Sequence, residues 1–467
     1  MTYQEEKNKI LFNILNNLWF KHWKVNDIEG LVNKKEYTVE LFVTAKCNQK
    51  CEYCYLHKYE NLYPIQYDKP ELILKNLRIF FDWLLENKYL YFRNFDIFSG
   101  EIHGYKLGND VYDIILEYLD KGLVINQITV PTNGSWILDD DICSNVEQYI
   151  AKFKQRNTRL CYSFSVDGYI VDKIGRPLRS IEKEEKRTIK FYDKMLQLCD
   201  KYGLCWHAVV GAGEAKYWSE NIQWWYKQCD KYHLDFAERC SVLEARNNDW
   251  DKDSLHALTK AYDTQIDYML KKNYVKLDGT PDLEGFARHV FLSKDKECGL
   301  NPNLIFGGSH IGCTNPVNFT VRLGDLAICS CHRTAYDELL FGNFVVENDK
   351  ITGISAKNVE MAIKALCGDV RTCIVGCDSC DFKPLCYLQC LGACKEYKND
   401  PFIIEPKVCE LLKVRLYHLC KKYENMGLFD IYKHLVETSP GLSKNSYEKC
   451  IEVKNKNLSH KELEIYE

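Results

Sequence analysis

Apolar and polar residues follow two alternating patterns along the first two thirds of the chain. Short apolar runs rich in β-branched and aromatic residues predict strands at residues 38–44, 94–99, 124–130, 161–166, 205–210 and 240–245. Between them, apolar positions recur every three or four residues and predict helices at 70–88, 109–121, 140–155, 183–202, 217–231 and 252–272. Alternating strands and helices predict parallel strands with crossover helices, and six units are too few for a closed eight-stranded barrel. We therefore predict an α/β fold with a partial, TIM-like (β/α)6 barrel over residues 37–290.

The pattern changes on both sides of this predicted barrel. Residues 1–36 predict one amphipathic helix and a turn, an N-terminal helical extension. Residues 298–410 lose the helical periodicity and are rich in cysteine and glycine, which predicts a second domain that needs bound metal to fold. Residues 411–467 return to a charged, helical pattern and predict a C-terminal helical tail.

Composition excludes several classes of partner. The 467 residues carry 62 Lys and Arg against 66 Asp and Glu, so the chain lacks the basic excess of a nucleic-acid-binding surface. No apolar run reaches the roughly 18 residues of a membrane span, and the N-terminus lacks the pattern of a signal peptide. We expect a cytoplasmic protein with no nucleic-acid or membrane partner. In a reducing cytosol, its 23 cysteines indicate metal binding or redox chemistry rather than disulfides.

The first cysteine cluster directly follows the first predicted strand. In TAKCNQKCEYCYL, the spacing C-x3-C-x2-C is formed by Cys47, Cys51 and Cys54. Three thiolates on one loop can hold three irons of a four-iron cluster and leave the fourth iron open for a small molecule. A zinc site completed by His57 is the alternative interpretation. The triplet resembles the signature of the radical S-adenosylmethionine superfamily.

This resemblance implies a mechanism and a cofactor site. In that family the open iron chelates the methionine end of S-adenosylmethionine, whose reductive cleavage yields a 5′-deoxyadenosyl radical that abstracts a hydrogen atom. The segments FSGEIHG, VPTNGS and SFSVDG resemble the family's strand-end motifs, although Ser99 stands where the family usually has a first glycine. The cofactor-binding residues implied by resemblance are Tyr53, Ser99, Gly100, Glu101, Thr132, Asn133, Ser165, Asp167 and Arg176.

Within this set, Tyr53 is expected against the adenine, and Gly100 keeps the close backbone approach to the methionine amino group. An arginine is expected to pair with the methionine carboxylate, and Arg179 and Arg187 compete with Arg176 for that role. Three further polar residues at the fifth and sixth strand ends are candidates to face the substrate, although such residues are more often structural: His207, Glu214 and Glu244.

A second cysteine cluster lies in the predicted C-terminal domain. Its first part, C-x10-G-x4-C, is formed by Cys313 and Cys329. The second part, C-x2-C-x5-C-x3-C, is formed by Cys377, Cys380, Cys386 and Cys390, and Cys409 is the last cysteine. This order resembles the SPASM domain of peptide-modifying radical enzymes, whereas a zinc ribbon would explain only the C-x2-C spacing.

The SPASM resemblance implies two auxiliary four-iron clusters in addition to the first cluster. One is implied at Cys298, Cys313, Cys329 and Cys390, and the other at Cys377, Cys380, Cys386 and Cys409. Alternatives stay open, because Cys331 is a substitute for Cys329, Cys394 is a substitute for Cys390, and Cys373 is spare.

Together, the resemblances imply a radical enzyme that uses S-adenosylmethionine and three [4Fe-4S] clusters to oxidise a peptide or protein side chain. Its partners would be that substrate and an electron donor such as flavodoxin or ferredoxin. We expect a thioether or carbon–carbon crosslink in a ribosomally made peptide. Formylglycine formation by an anaerobic sulfatase maturase is the alternative, but Ser330 stands where those enzymes have an aspartate base. A non-catalytic iron–sulfur electron carrier is the alternative from another class, and it would not need the strand-end motifs.

Overall fold

A parallel sheet runs through the computed structural model, which describes residues 2–24, 38–58, 69–103, 107–175, 185–245, 249–291, 319–367, 374–377, 379–383, 390–439 and 444–467. Six of its strands lie side by side in chain order and pair in parallel. They are β1 (Thr38–Thr44), β2 (Tyr91–Ser99), β3 (Val124–Thr132), β4 (Arg159–Ser165), β5 (Cys205–Val210) and β6 (Cys240–Glu244). Each was predicted from the sequence, with small shifts at the ends.

A helix follows each of these strands, as predicted. They are α2 (Pro70–Glu86), α3 (Leu107–Asp120), α4 (Asp140–Lys154), α5 (Glu185–Tyr202), α6 (Trp218–Lys231) and α7 (Lys252–Lys272). Local sequence sets their starts: Pro70 begins α2, and the Asp139 side chain accepts hydrogen bonds from two backbone N–H groups of α4. Because every crossover returns the chain in the same direction, the carboxyl ends of the six strands share one edge of the sheet. This confirms the α/β class.

The cysteine-rich segment extends this same sheet on its other side. Strand β7 (Phe319–Arg322) pairs in parallel with β1. Strands β8 (Ala327–Cys329), β9 (Gly342–Glu347) and β10 (Lys350–Ala356) follow in antiparallel pairs. After them come α9 (Val359–Leu366) and α10 (Leu391–Lys398). Residues 319–356 therefore share a sheet with the predicted barrel, and the domain division drawn from the sequence stays a prediction.

The N-terminal helix α1 (Tyr3–Leu15) packs on the far end of the sheet. The Gln4 side-chain amide donates to the carbonyl of Ala356, and the Asn8 side-chain oxygen accepts from the Ala356 N–H. Beyond α1, Trp23 packs against Phe319 of β7 and Phe92 of β2, with ring centroids 5.1 and 5.2 Å apart. These aromatic contacts join the segment before the barrel to both parts of the sheet.

The C-terminal tail is helical, as predicted, and one of its helices is joined to the barrel by a buried ion pair. A short helix, α8 (Leu283–Phe291), precedes β7, and the tail comprises α11 (Pro406–Asn425), α12 (Leu428–Thr438) and α13 (Lys444–Leu458). The guanidinium of Arg415 lies 2.5 Å from the carboxylate of Glu244 at the end of β6, and both side chains are buried. The same carboxylate accepts a hydrogen bond from Tyr262 of α7. In the described ranges, the helices are too short or too polar to cross a membrane.

We predict that Arg415→Met lowers the thermal unfolding midpoint markedly. It leaves the Glu244 carboxylate buried without its cation, a change that typically costs about 3–5 kcal/mol. The matched control is Lys421→Met, because the Lys421 ammonium lies 3.7 Å from Glu467 in a partly exposed pair. Differential scanning calorimetry of the two anaerobically purified variants makes the comparison. Equal midpoints would show that the buried pair does not stabilise the fold.

Candidate functional site

The three-cysteine loop follows β1 at the carboxyl edge of the sheet. Its cysteines, Cys47, Cys51 and Cys54, are each partly exposed. The Cys47 sulfur accepts hydrogen bonds from the Gln49 backbone N–H at 3.4 Å and from the Asn133 side-chain amide at 3.7 Å. Burial raises the pKa of the Cys47 thiol to about 11, and these donors offset only part of that effect. The sulfur therefore has the donors that suit a thiolate, and a nearby cation would be needed to deprotonate it.

These residues fit a four-iron cluster. The negative charge of Cys54 contributes to the raised pKa of Cys47, so the two sulfurs lie within electrostatic reach of each other. Hydrogen bonds to sulfur are a means by which proteins tune such clusters. Within the described ranges, no three His, Cys, Asp or Glu side chains converge as the ligands of one metal ion do. In a four-iron cluster each thiolate binds its own iron, so convergence on a single point is not required.

Glu101 joins the ends of β2 and β3 to the cysteine loop. Its side chain is fully buried, and its carboxylate accepts hydrogen bonds from the Thr132 hydroxyl at 2.9 Å and from the Asn133 N–H at 2.7 Å. Its own N–H donates to the carbonyl of Lys46, directly before Cys47. The Asn133 side chain continues the network to the loop, donating to Asn48 at 2.7 Å. Three residues predicted at the cofactor site thus position the loop.

Gly100 is required by a close backbone approach. Its N–H donates to the carbonyl of Thr44 at 2.8 Å, and a Cβ at position 100 would lie 2.2 Å from the carbonyl oxygen of Lys46. Only glycine fits there without displacing the chain that leads into Cys47. The side chain of the neighbouring Ser99, also predicted at the cofactor site, lies outside the described residues.

Tyr53 and Asp167 connect the cysteine loop to the ends of β4 and β5. The Tyr53 hydroxyl donates to one carboxylate oxygen of Asp167, and the other oxygen accepts from the Val209 N–H at 2.8 Å. The backbone carbonyl of Asp167 accepts from Asn221 and Trp225 on α6. The structure therefore brings these two predicted residues together and buries Asp167 as the centre of a network.

The remaining predicted strand-end residues have different surroundings. The Ser165 hydroxyl lies 2.7 Å from Nε2 of His207, whose Nδ1 lies 3.2 Å from Ser163. Glu214 is buried near Tyr53. Glu244, the third candidate to face the substrate, has the structural role that such residues more often have, because Arg415 holds its carboxylate. Arg176 and Arg179 lie outside the described residues, as does the side chain of Arg187.

An acidic pair at β1 and β2, with Glu40 buried and Asp96 partly buried, was missed by the sequence analysis. Glu40 and Asp96 are neighbours in register, and the Glu40 carboxylate lies 2.9 Å from Nδ1 of His332. The His332 ring stacks on Phe98 with centroids 3.8 Å apart. Burial, with the nearby Glu40 charge, raises the pKa of Asp96 to about 7. The available signal was one acidic residue in each of two predicted strands.

Several cysteines of the second cluster lie in the described part of the chain. Cys377, Cys380 and Cys409 lie within electrostatic reach of one another, since both neighbours help to raise the pKa of the Cys409 thiol, which burial brings to about 11. These are three of the four ligands implied for one auxiliary cluster. The fourth, Cys386, lies outside the described residues, as do Cys298 and Cys313 of the other set and the spare Cys373.

The remaining two cysteines of the first auxiliary set lie in contacting segments. Cys390 precedes α10, and its sulfur accepts from the Ala393 N–H at 3.5 Å. Arg333, four residues after Cys329, donates two hydrogen bonds to the Glu396 carboxylate on α10. The choice between these cysteines and their alternatives, Cys331 and Cys394, stays a prediction.

Comparison with known proteins yields structural neighbours only. No family model matches the chain, and neither does any curated protein. Histidine-tagged anSMEcpe with bound AdoMet has a TM-score of 0.49 and 14% identity, covering 89% of this chain and 98% of that one. Native anSMEcpe with bound AdoMet and Cp18Cys peptide has a TM-score of 0.49 and 14% identity, covering 85% and 99%. Streptococcus suis SuiB bound to S-adenosylmethionine has a TM-score of 0.43 and 17% identity, covering 80% and 75%.

Identity and structural similarity to these proteins are both low, so the function of this chain is argued from its own residues.

We predict that Gly100→Ala removes the iron held by the first loop. The added Cβ pushes the Lys46 carbonyl away and displaces Cys47, so iron after anaerobic reconstitution should fall from about twelve to about eight atoms per chain. The control is Gly213→Ala, because a Cβ at that position meets no atom within 4 Å. Colorimetric iron analysis on protein of known concentration measures both. Unchanged iron in Gly100→Ala would contradict the role of this close approach.

Proposed function

We propose that the chain is a radical S-adenosylmethionine enzyme that oxidises a peptide side chain. The supporting observation is the hydrogen-bonded assembly at the carboxyl edge, where Glu101, Thr132 and Asn133 hold the loop of Cys47. When bound, a four-iron cluster and S-adenosylmethionine supply an electron and a 5′-deoxyadenosyl radical that abstracts a hydrogen atom. The chain's own residues hold the loop, leave room at Gly100 and keep Glu101, Thr132 and Asn133 away from water.

The same assembly argues against a simple electron carrier. A carrier needs thiolates and a route for electrons, but it has no use for the ends of β2, β3 and β4 converging on the cluster loop. Here Glu101, Asn133 and Tyr53 make that convergence through buried and partly buried hydrogen bonds. Such an arrangement is typical of an α/β protein that binds a small molecule at the strand ends.

We predict that the reconstituted, reduced protein cleaves S-adenosylmethionine to 5′-deoxyadenosine and methionine even without a peptide. Anaerobic incubation with dithionite followed by chromatography measures the nucleoside. Cys47→Ala is the matched control, since it removes one thiolate from the loop and leaves the other cysteine segments intact. If the wild type forms no more 5′-deoxyadenosine than Cys47→Ala, the catalytic proposal fails.

For the substrate, we propose a peptide that receives a thioether or carbon–carbon crosslink. Loss of a hydrogen atom leaves a substrate radical, and forming the crosslink requires that one more electron and one proton leave. Auxiliary clusters at the second cysteine set would accept that electron. A flavodoxin or ferredoxin would donate the electron that reduces the first cluster. Ser330 stands where the resemblance to sulfatase maturases would require an aspartate base, which favours crosslinking over formylglycine formation. Its hydroxyl lies 3.0 Å from the Thr334 hydroxyl.

We predict that a peptide encoded beside this chain's gene loses two hydrogens when incubated with the reconstituted enzyme, S-adenosylmethionine and reductant. Mass spectrometry measures the loss, and fragmentation locates the new bond. Omitting S-adenosylmethionine is the control. If instead only a peptide with a sulfatase motif reacts, giving an aldehyde, formylglycine formation is the function.

A further inference from the structure

Glu214 is a buried carboxylate that the proposed chemistry has not used. It follows β5 at the same edge of the sheet as the cysteine loop, and only 3% of its surface is exposed. Its Oε2 atom accepts no hydrogen bond from the described residues. A buried carboxylate oxygen without a donor is unfavourable, so its retention calls for an explanation.

Two other segments, the one that contains Gly175 and the cysteine loop, lie around this carboxylate. A Cβ at Gly175, the last residue of a short helix after β4 (Asp172–Gly175), would lie 2.2 Å from Oε1 of Glu214 and 3.1 Å from the Tyr53 ring. The Gly175 carbonyl in turn accepts from the Glu52 N–H of the cysteine loop at 3.1 Å. The glycine therefore makes room for the carboxylate directly beside the aromatic residue predicted to contact adenine.

Electrostatics make the unliganded site unfavourable. Burial raises the pKa of Glu214 to about 7, and the neighbouring charges of Asp167 and Glu52 act in the same direction. A ligand that donates hydrogen bonds to Oε2 would offset this cost, whereas an acceptor or an apolar group would not.

We propose that Glu214 accepts hydrogen bonds from the ribose hydroxyls of the adenosyl cofactor. This inference rests on the proposed function. The methionine end is expected at Gly100 after β2, and β5 lies three strands away in the sheet, so the nucleoside is the part of the ligand on the Glu214 side. A vicinal diol brings two donors to one carboxylate. Acidic residues at strand ends bind ribose hydroxyls in the same way in other α/β nucleotide sites.

The test removes the acceptor, the Glu214 carboxylate, by mutation and the donors, the ribose hydroxyls, by changing the ligand. Isothermal titration calorimetry of cluster-loaded protein, with methionine present, measures the affinity for 5′-deoxyadenosine, 2′,5′-dideoxyadenosine and 3′,5′-dideoxyadenosine. A hydrogen bond to a charged group is worth about 1.5–3 kcal/mol, so Glu214→Leu should bind 5′-deoxyadenosine about 10- to 100-fold more weakly. Glu214→Gln, which keeps an acceptor oxygen, should lose less. The exposed Glu220→Gln is the matched control and should bind as the wild type does.

The decisive comparison is between ligands. Deleting a ribose hydroxyl should weaken binding to the wild type and leave binding to Glu214→Leu nearly unchanged. If both proteins discriminate equally between the nucleosides, the assignment of Glu214 is overturned. If the wild type cleaves S-adenosylmethionine while this comparison fails, the proposed function stands and only this inference falls. If the wild type neither binds the nucleoside nor cleaves the cofactor, both fall.

A ligand-free measurement separates this role from a structural one. Because the pKa of folded Glu214 is raised, its ionisation destabilises the fold fully above pH 7, and this effect fades as the pH falls toward the ordinary value near 4.5. Without ligand, Glu214→Gln should therefore unfold at a higher temperature than the wild type at pH 8, and the two should converge near pH 5. A lower midpoint for the variant at pH 8 would indicate a structural carboxylate and contradict the proposal.

Discussion

The organisation of the site depends on the buried carboxylate of Glu101. It accepts hydrogen bonds from Thr132 and Asn133 while its backbone N–H holds Lys46, so the ends of β1, β2 and β3 are fixed together. A buried carboxylate is costly unless its oxygens are satisfied, and here donors come from the neighbouring strand end. The close approach at Gly100 allows this arrangement. The position of the three-cysteine loop, and every role proposed for it, follows from that one set of contacts.

Much of this could be predicted because the determinants are local. Apolar periodicity predicts β1 to β6 and their helices, and parallel topology then places Glu101, Thr132 and Asp167 at one edge. The contacts that could not be predicted join distant parts of the chain. Arg415 and Glu244 are 171 residues apart, and β7 pairs with β1 only in the folded sheet. Nothing in the sequence near either partner identifies the other. The ligands of the auxiliary clusters and the arginine for the cofactor stay predictions.

Glu214 and Glu244 show how partners decide the role of one residue type. Both are buried carboxylates at the carboxyl ends of neighbouring strands, and from the sequence they were equivalent candidates to face the substrate. An arginine from α11 and the Tyr262 hydroxyl bind Glu244, which makes it part of the fold. Glu214 has an oxygen without a donor from the described residues and lies against Gly175 beside Tyr53. The difference in hydrogen-bond donors separates a structural residue from a proposed ligand-binding one.

The central claim is that the loop of Cys47, Cys51 and Cys54 holds a four-iron cluster whose open iron binds S-adenosylmethionine. Electron paramagnetic resonance of the dithionite-reduced, reconstituted protein, with and without S-adenosylmethionine, tests it most directly. We expect the cofactor to change the spectrum of one cluster, and we expect that cluster's signal to be missing from the Cys47→Ala variant. A spectrum that S-adenosylmethionine leaves unchanged, or a cofactor-dependent change that survives in Cys47→Ala, would contradict the claim.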